Sequence, residues 1–266
     1  MKIGKLFGYG MSVVAALALG AQSASAGVLL YAQDFEKPVG FYNEGFDVNI
    51  SSGVNSLYGG QPAGFNFAQA GTVETLYLKG NTAFGHGYSD PSGKGGSYAL
   101  GMQQVGEDDL LGLSFSVGPY KFLNLRLDLS RISISGYGCG CDSRDDPIFQ
   151  FSLYDNPGGV SGLGRGALLS QVTVQIPGSP SSDLFNWTET LVALNALGNT
   201  DGNVTLRIDL VNSGYAALDN FRIAASDTAG DVASQVPEPG AFSLAALGVG
   251  MLYRRRWASR SGMAAG

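Results

Sequence analysis

Hydrophobic and polar residues alternate along several stretches of the chain. The longest regular stretch is residues 122–129, where leucine occupies every second position and Asn, Arg and Asp lie between. Residues 203–210 repeat the pattern, and residues 148–154 are apolar on both faces. Apolar residues at every second position predict β-strands with one buried face and one solvent-exposed face. The alternation slips at Ser130 and Arg131 and then resumes, which predicts a bulge or bend within a long strand.

Seven shorter segments also read as strands, and turn residues separate them. Clusters of Gly, Pro, Ser and Asn mark the turns, as in residues 59–62 and 90–93. No segment of the body has helical periodicity over ten residues. About ten strands spaced in this way predict an all-β fold, an antiparallel β-sandwich closer to a jelly roll than to an immunoglobulin domain. The shorter segments are residues 28–35, 73–78, 98–103, 111–117, 168–176, 187–192 and 217–223.

Composition narrows the classes of function. The 266 residues include 40 Gly without a collagen period, and His86 is the single histidine, which leaves little room for histidine-dependent catalysis. Residues 27–235 contain 10 Lys and Arg against 21 Asp and Glu, a net charge of −11. Such an acidic surface repels nucleic acid and attracts divalent cations.

The first 26 residues have the three parts of a secretory signal peptide. Lys2 and Lys5 precede an apolar stretch over residues 11–19, and Ala24-Ser25-Ala26 places small residues at a cleavage site. We therefore expect an exported protein whose folded domain covers residues 27–223, followed by a small, polar spacer over residues 224–235.

The last 31 residues contain a second three-part pattern. A short motif precedes an apolar run of 14 residues, shorter than the roughly 20 that span a bilayer, and an arginine cluster follows the run. This arrangement resembles the PEP-CTERM sorting signal. The resemblance implies a sorting helix that tethers the chain transiently to the membrane until an exosortase-type enzyme releases it to the surface or polysaccharide matrix of a Gram-negative bacterium. The extension over residues 257–266 departs from the family pattern, and a membrane anchor that is never cut is the alternative. The motif is Val236, Pro237, Glu238 and Pro239, and the cluster is Arg254, Arg255 and Arg256.

Acidic residues lie at both ends of the expected domain. Asp34-Phe35-Glu36 closes the first strand, and Asp219-Asn220 lies in the last. Here the chain resembles the jelly-roll carbohydrate-binding modules. That resemblance implies a structural Ca²⁺ held by Asp34, Glu36 and Asp219, and oxygen ligands suit this ion. In the alternative, Asp219 and Asn220 only bond turn backbone and Asp34 is solvated.

Both cysteines, Cys139 and Cys141, lie in one glycine-rich loop. In an oxidising compartment a local disulfide is the favoured interpretation, and a redox-active pair or capture of a soft metal are the alternatives. Zinc would need two further nitrogen or sulfur ligands.

Aromatic residues near turns are candidates for stacking on sugar rings, although such residues are more often part of the core or rim. We expect the acidic clusters at residues 107–109 and 142–146 to be solvated loop charge. The candidate platform residues are Tyr42, Tyr58, Tyr88, Tyr137 and Trp187.

The signal-peptide pattern and the PEP-CTERM-like tail are the main basis of the functional prediction. We expect a non-enzymatic surface or matrix protein with a structural or adhesive role. It either binds extracellular polysaccharide through exposed aromatics or is purely structural with its aromatics buried. A secreted carbohydrate-active hydrolase that uses paired carboxylates is the alternative from a different class.

Overall fold

The alternating segments pair into two β-sheets that pack face to face. The computed structural model describes residues 27–45, 47–59, 66–80, 89–104, 108–132, 146–181, 184–212 and 214–232. These residues form one helical turn, α1 (Val54–Leu57), and twelve strands: β1 (Val28–Gln33), β2 (Val48–Asn49), β3 (Asn66–Ala70), β4 (Glu74–Tyr77), β5 (Tyr98–Gln103), β6 (Leu110–Ser116), β7 (Phe122–Arg131), β8 (Ile148–Asp155), β9 (Leu168–Gln175), β10 (Thr188–Asn195), β11 (Asn203–Asn212) and β12 (Tyr215–Ser226).

Every pair of neighbouring strands in the two sheets is antiparallel. The seven-stranded sheet has the order β10-β7-β12-β5-β4-β2, and β1 also pairs with β12. The five-stranded sheet has the order β3-β6-β11-β8-β9. The predicted antiparallel, jelly-roll-like β-sandwich is therefore confirmed. The sequence missed β2, which has two residues, and β3, whose sequence NFAQA has little strand propensity.

The core lies between the sheets and follows the alternation in the sequence. The leucines of β7 at positions 123, 125, 127 and 129 are at most 1% exposed. The apolar side chains of β8 and β11 pack opposite them, among them Phe149, Phe151 and Leu206. The polar residues between the β7 leucines face the other side of the seven-stranded sheet.

A second, smaller cluster of buried side chains lies on that outer face. Ala99 and Leu76 pair directly across β5 and β4, and Phe185 stacks on Trp187 with ring centroids 5.4 Å apart. The loop at residues 90–97 packs on this cluster, because a Cβ at Gly95 would lie 2.5 Å from the Trp187 ring. The outer face of this sheet is therefore covered by protein along part of its length.

The irregularity predicted near Ser130 lies instead in the neighbouring strand. β7 continues through Arg131, and its pairing with β12 shifts between Asp219 and Arg222. Asn220 has a φ of 53° there, a left-handed conformation that Asn tolerates better than most residues. The extra residue in β12 makes this position a β-bulge.

No helix within the described ranges is long and apolar enough to cross a membrane. The predicted signal peptide and sorting tail both lie outside these ranges.

Candidate functional site

The bulge in β12 lies beside four acidic side chains, Asp34, Glu36, Asp128 and Asp219, which we call the carboxylate cluster. Asp34 and Glu36 come from the segment that follows β1, Asp128 from β7 and Asp219 from β12. Asp128 and Asp219 are direct partners across the β7–β12 pair, so their side chains lie on the same, outer face of the sheet. The cluster thus joins the beginning and the end of the domain.

Asp34 and Glu36 make different contacts. Asp34 is exposed, and its Oδ1 accepts a hydrogen bond from the Glu36 backbone N–H at 3.2 Å. Glu36 is partly buried, and its Oε1 accepts from the backbone N–H groups of Ser97 at 2.7 Å and Tyr98 at 3.3 Å. Gly96 makes this approach possible, because a Cβ there would lie 2.0 Å from the same oxygen.

Asp219 is the most buried member, at 1% exposure. Its Oδ1 accepts a hydrogen bond from the Asn220 backbone N–H at 2.6 Å. Burial raises the pKa of Asp219 to about 9, and the charges of Glu36, Asp128 and Asp34 add to the rise, while the Asn220 bond opposes it. At neutral pH and without a cation, this carboxyl group therefore holds a proton.

Asp128 is paired with a cation from the loop at residues 90–97. Its Oδ1 lies 3.1 Å from Lys94 Nζ, and its Oδ2 accepts from Asn220 Nδ2 at 3.0 Å. The same Asn220 amide also donates to the Lys94 backbone carbonyl at 3.1 Å. Asp90 holds the loop in place, since its Oδ2 accepts from the Gly95 N–H and from Trp187 Nε1.

The predicted calcium ligands lie within electrostatic range of one another but do not converge. In the described part of the chain, no three His, Cys, Asp or Glu side chains form a group that could hold a metal ion. Asp34, Glu36 and Asp219 thus offer only oxygen donors, but their three carboxylates do not surround one common position. Ca²⁺ also accepts backbone carbonyls and water, so the donor type fits the ion, and the calcium site stays a prediction.

Three aromatic rings, Phe41, Tyr77 and Tyr98, meet beside Glu36; we call them the aromatic patch. All three are partly exposed, and Tyr77 and Tyr98 are direct partners across β4 and β5. The ring centroids are 5.1 Å apart for Tyr77 and Tyr98, 5.2 Å for Phe41 and Tyr98, and 6.4 Å for Phe41 and Tyr77. Partial burial raises the pKa of Tyr98, and Tyr77 and Glu36 add to the rise.

A polar loop is fixed next to the aromatic patch. Asn43 Oδ1 accepts from the Gly45 and Asp47 N–H groups, and Glu44 Oε2 accepts from those of Ile50 and Ser51. The Tyr77 backbone N–H donates to the Asp47 carbonyl at 2.7 Å, which ties this loop to β4. The patch is therefore bordered by side chains that are already held in position.

The structure describes three of the five residues that the sequence suggested for an aromatic platform, and two of these three are buried. Tyr42 is 70% exposed, whereas Tyr58 and Trp187 are 3% and 9% exposed and belong to buried clusters. Tyr88 and Tyr137 lie outside the described residues. Phe41, Tyr77 and Tyr98 were missed because only the pairing of β4 with β5 and the path of the preceding segment bring them together.

The structure describes some of the acidic residues that the sequence analysis expected to be solvated. Asp109, expected to be solvated, is 1% exposed, and it accepts from the backbone N–H groups of Thr72 and Gln103 at 2.5 and 2.7 Å. Asp108 and Asp146 are exposed, as expected. The cysteine pair, Cys139 and Cys141, and the sorting residues Val236, Pro237, Glu238, Pro239, Arg254, Arg255 and Arg256 lie outside the described residues.

A surface hollow of about 320 Å³ lies next to the bulge. Asp34, Arg126, Asn220 and Arg222 contribute polar groups to its wall, and the Arg222 Nε donates to the Val232 carbonyl at 3.1 Å. Asp34 is the one carboxylate among the described residues that line it. The described part of its wall therefore holds a single acid, whereas a glycoside hydrolase uses a pair.

Comparisons with known proteins found likeness in structure. The chain matched no protein-family model and no curated protein. A xylan-binding CBM22-1 domain from Paenibacillus barcinonensis Xyn10C is 12% identical, with a TM-score of 0.41 over 78% of this chain and 100% of that domain. TmCBM61, solved with β-1,4-galactotriose, is 11% identical, with a TM-score of 0.35 over 60% of this chain and 88% of that chain. A Stig cyclase, Fisc from Fischerella sp. TAU, is 14% identical, with a TM-score of 0.45 over 76% and 98%. Because binding modules and an enzyme both occur among these distant neighbours, the likeness assigns no function to this chain.

The raised pKa of Asp219 predicts how stability depends on pH. In metal-free buffer with a chelator, the folded chain keeps the Asp219 proton up to about pH 9, whereas the unfolded chain loses it near 3.8. The contribution of Asp219 to the free energy of unfolding must therefore fall as pH rises from about 4 to about 9. Asp219→Asn removes this titration and retains an oxygen for the Asn220 N–H, so we expect a smaller fall. Urea unfolding at several pH values measures it.

The matched control for this measurement is Asp227→Asn, which changes an exposed carboxylate. Glu74, whose pKa is also raised by burial, titrates in the wild type and in both variants and cancels in the comparison. Parallel pH profiles for the wild type and Asp219→Asn would contradict the burial argument.

Proposed function

We propose that this chain is an exported, non-catalytic protein that binds extracellular polysaccharide through the aromatic patch. The observation that carries the proposal is the contact of three partly exposed rings next to an ordered polar loop. Aromatic rings offer flat apolar faces for the C–H groups of a sugar ring, and phenol hydroxyls supply hydrogen bonds at the edge. Tyr42, which follows Phe41 in the sequence, is 70% exposed and is a further candidate for contact with a sugar.

Pre-organisation supports the same site. Glu36 fixes the start of β5 through the Ser97 and Tyr98 N–H groups, and Asp47 fixes Tyr77 from the other side. A surface whose groups are already ordered loses little conformational entropy when a ligand binds. The buried Tyr58 and Trp187 belong to the framework and take no part in this proposal.

Export places the protein where such a ligand occurs. The signal-peptide pattern of residues 1–26 and the PEP-CTERM-like tail of residues 236–266 support delivery to the surface or matrix of a Gram-negative bacterium, with transient membrane tethering and exosortase-type processing. Mass spectrometry of the released protein tests this: we expect a chain that starts near residue 27 and ends near Glu238. An unprocessed tail in the membrane fraction would favour the permanent anchor.

Truncating the aromatic patch should weaken glycan binding. We expect Tyr77→Ala and Tyr98→Ala each to lower the affinity for a soluble polysaccharide about fivefold, since a stacked aromatic contact contributes ~1 kcal/mol. Affinity electrophoresis against xylan, β-1,4-galactan and an acidic polysaccharide measures this. The matched control is Tyr154→Ala, a partly exposed tyrosine of the other sheet, under the Arg207 guanidinium.

The possible outcomes separate the competing functions. Polysaccharide binding that both patch variants retain would move the site elsewhere, and no binding to any of the polysaccharides would favour a purely structural matrix protein. New reducing ends released from any of these polysaccharides would favour the hydrolase alternative.

We propose, separately, that Ca²⁺ binds at Glu36 and Asp219, with Asp34 at the edge of the site. In support, Asp219 is buried among three other carboxylates, and a bound cation would replace its proton. Calcium should raise the melting temperature with its concentration, because a ligand of the folded state stabilises it, and should release protons at pH 7. Calorimetry in two buffers of different ionisation enthalpy detects the protons.

Asp219→Asn should abolish both the temperature shift and the proton release, and Asp227→Asn should leave both unchanged. A melting temperature that is the same with calcium and with chelator would contradict the calcium site and leave the aromatic patch unaffected.

A further inference from the structure

Two arginines lie opposite each other on the outer face of the seven-stranded sheet. Arg126 of β7 and Arg222 of β12 are direct partners in the antiparallel pairing of these strands, so their side chains lie on the same face. Like charges at directly opposed positions of an antiparallel pair repel each other. A negatively charged ligand that contacts both guanidinium groups would relieve this repulsion.

The two guanidinium groups are held differently. Arg222 Nε donates to the Val232 carbonyl at 3.1 Å. The segment that carries this carbonyl is itself fastened to β7, because Asn124 Nδ2 donates to the Thr228 carbonyl at 3.0 Å. Arg126 is exposed, and its guanidinium makes no hydrogen bond or ion pair with another residue in the described part of the chain. Arg222 is therefore a fixed cation, and Arg126 offers its N–H donors to a ligand.

Both arginines line the surface hollow of about 320 Å³ beside the bulge. This volume is near the lower end of the range for small-molecule sites, about 300–1,000 Å³. Other polar groups in the described wall are the Asp34 carboxylate, the Asn220 amide and the Gln33 amide, whose Oε1 accepts from the Phe35 N–H at 3.1 Å. The wall combines two cations with groups that form hydrogen bonds to hydroxyls, which suits a ligand that carries both an anionic group and hydroxyl groups.

The charges in the wall favour a carboxylate as the anionic group. A planar guanidinium binds a carboxylate or a phosphate through two parallel hydrogen bonds. Asp34 lies in the same wall, and its repulsion of a ligand grows in proportion to the ligand's charge. A singly charged carboxylate is therefore preferred over a doubly charged phosphate. Because the chain has a net charge of −6, it does not attract anions in general, and binding depends on Arg126 and Arg222.

We propose that this hollow is a second binding site, which takes the carboxylate of a uronic acid unit in an acidic polysaccharide. The Arg126 guanidinium forms the paired hydrogen bonds, the fixed charge of Arg222 adds electrostatic attraction, and Asp34 accepts a hydrogen bond from a sugar hydroxyl. The choice of a sugar as the ligand rests on the proposed function, but the site shares no residue with the aromatic patch. The inference thus specifies the class of polysaccharide, one that contains acidic sugars.

Calorimetric titration with two forms of the same oligosaccharide tests the dependence on the carboxylate. The probes are short oligomers of galacturonic, mannuronic and guluronic acid and the methyl esters of the same oligomers, in a buffer with chelator so that no divalent cation contributes. We expect an acidic oligomer to bind about tenfold more tightly than its ester, because charge-assisted hydrogen bonds are roughly twice as strong as neutral ones. Added salt should reduce this ratio of affinities.

Arg126→Gln should bring the ratio close to one, since it removes the charge at an exposed position. The matched control, Arg165→Gln, makes the same substitution at an exposed residue that borders a hollow on the other sheet, and it should keep the wild-type ratio. Tyr98→Ala should keep the ratio as well, because the aromatic patch contains no cation.

Three results would overturn the inference: equal affinities for acid and ester, no binding of any acidic oligomer at millimolar concentration, or a ratio that Arg126→Gln leaves unchanged in a variant that melts like the wild type. Inorganic sulfate that displaces the acidic oligomer at an equal concentration would overturn the assignment to a sugar carboxylate. The proposed function fails separately, because it requires that Tyr77→Ala and Tyr98→Ala weaken polysaccharide binding, which none of these results decides.

Discussion

One extra residue in β12 determines the arrangement around the candidate site. Side chains of a strand alternate between its two faces, so a strand that continued regularly from Leu218 would direct Phe221 and Ile223 away from the core. The left-handed Asn220 restores the phase, and both side chains are at most 2% exposed. The same bulge lets β12 pair with β5 along its first half and with β1 along its second half, on one side of the strand.

The site inherits its geometry from this bulge. Phe35, also left-handed, packs edge-on against Phe221 at 5.2 Å, and this contact directs the chain after β1 toward β5. Glu36 then bonds the Ser97 and Tyr98 N–H groups, and Phe41 reaches Tyr98. Asp219, the residue directly before Asn220, is also buried at this bulge. The electrostatic strain of the carboxylate cluster and the position of the aromatic patch therefore have a common origin.

The alternation of hydrophobic and polar residues was sufficient to predict most strands of the two sheets. It was insufficient to predict which aromatic and acidic side chains are exposed at the surface. The leucines of β7 identify their own buried face, because burial on one side of a strand leaves a period of two in the sequence. Nothing local distinguishes the buried Trp187 from the exposed Tyr42, since the Gly95 loop that covers Trp187 is far away in sequence. The local sequence likewise predicted that Asp109 is a solvated loop residue, because it does not show that the N–H groups of Thr72 and Gln103 donate to this side chain. An irregularity was predicted at Ser130 of β7, where the pairing with β12 is regular, and the bulge in β12 at Asn220 was not predicted.

The central claim is that glycan contacts the aromatic patch. Its most direct test is a two-dimensional amide NMR titration of the protein with oligosaccharides from a polysaccharide that it binds. The account predicts that the largest shifts occur at Phe41, Tyr77, Ser97 and Tyr98, with smaller changes in the loop at residues 43–51. Shifts confined to the opposite sheet, for example along the groove lined by Val160, Arg165 and Thr205, would contradict it.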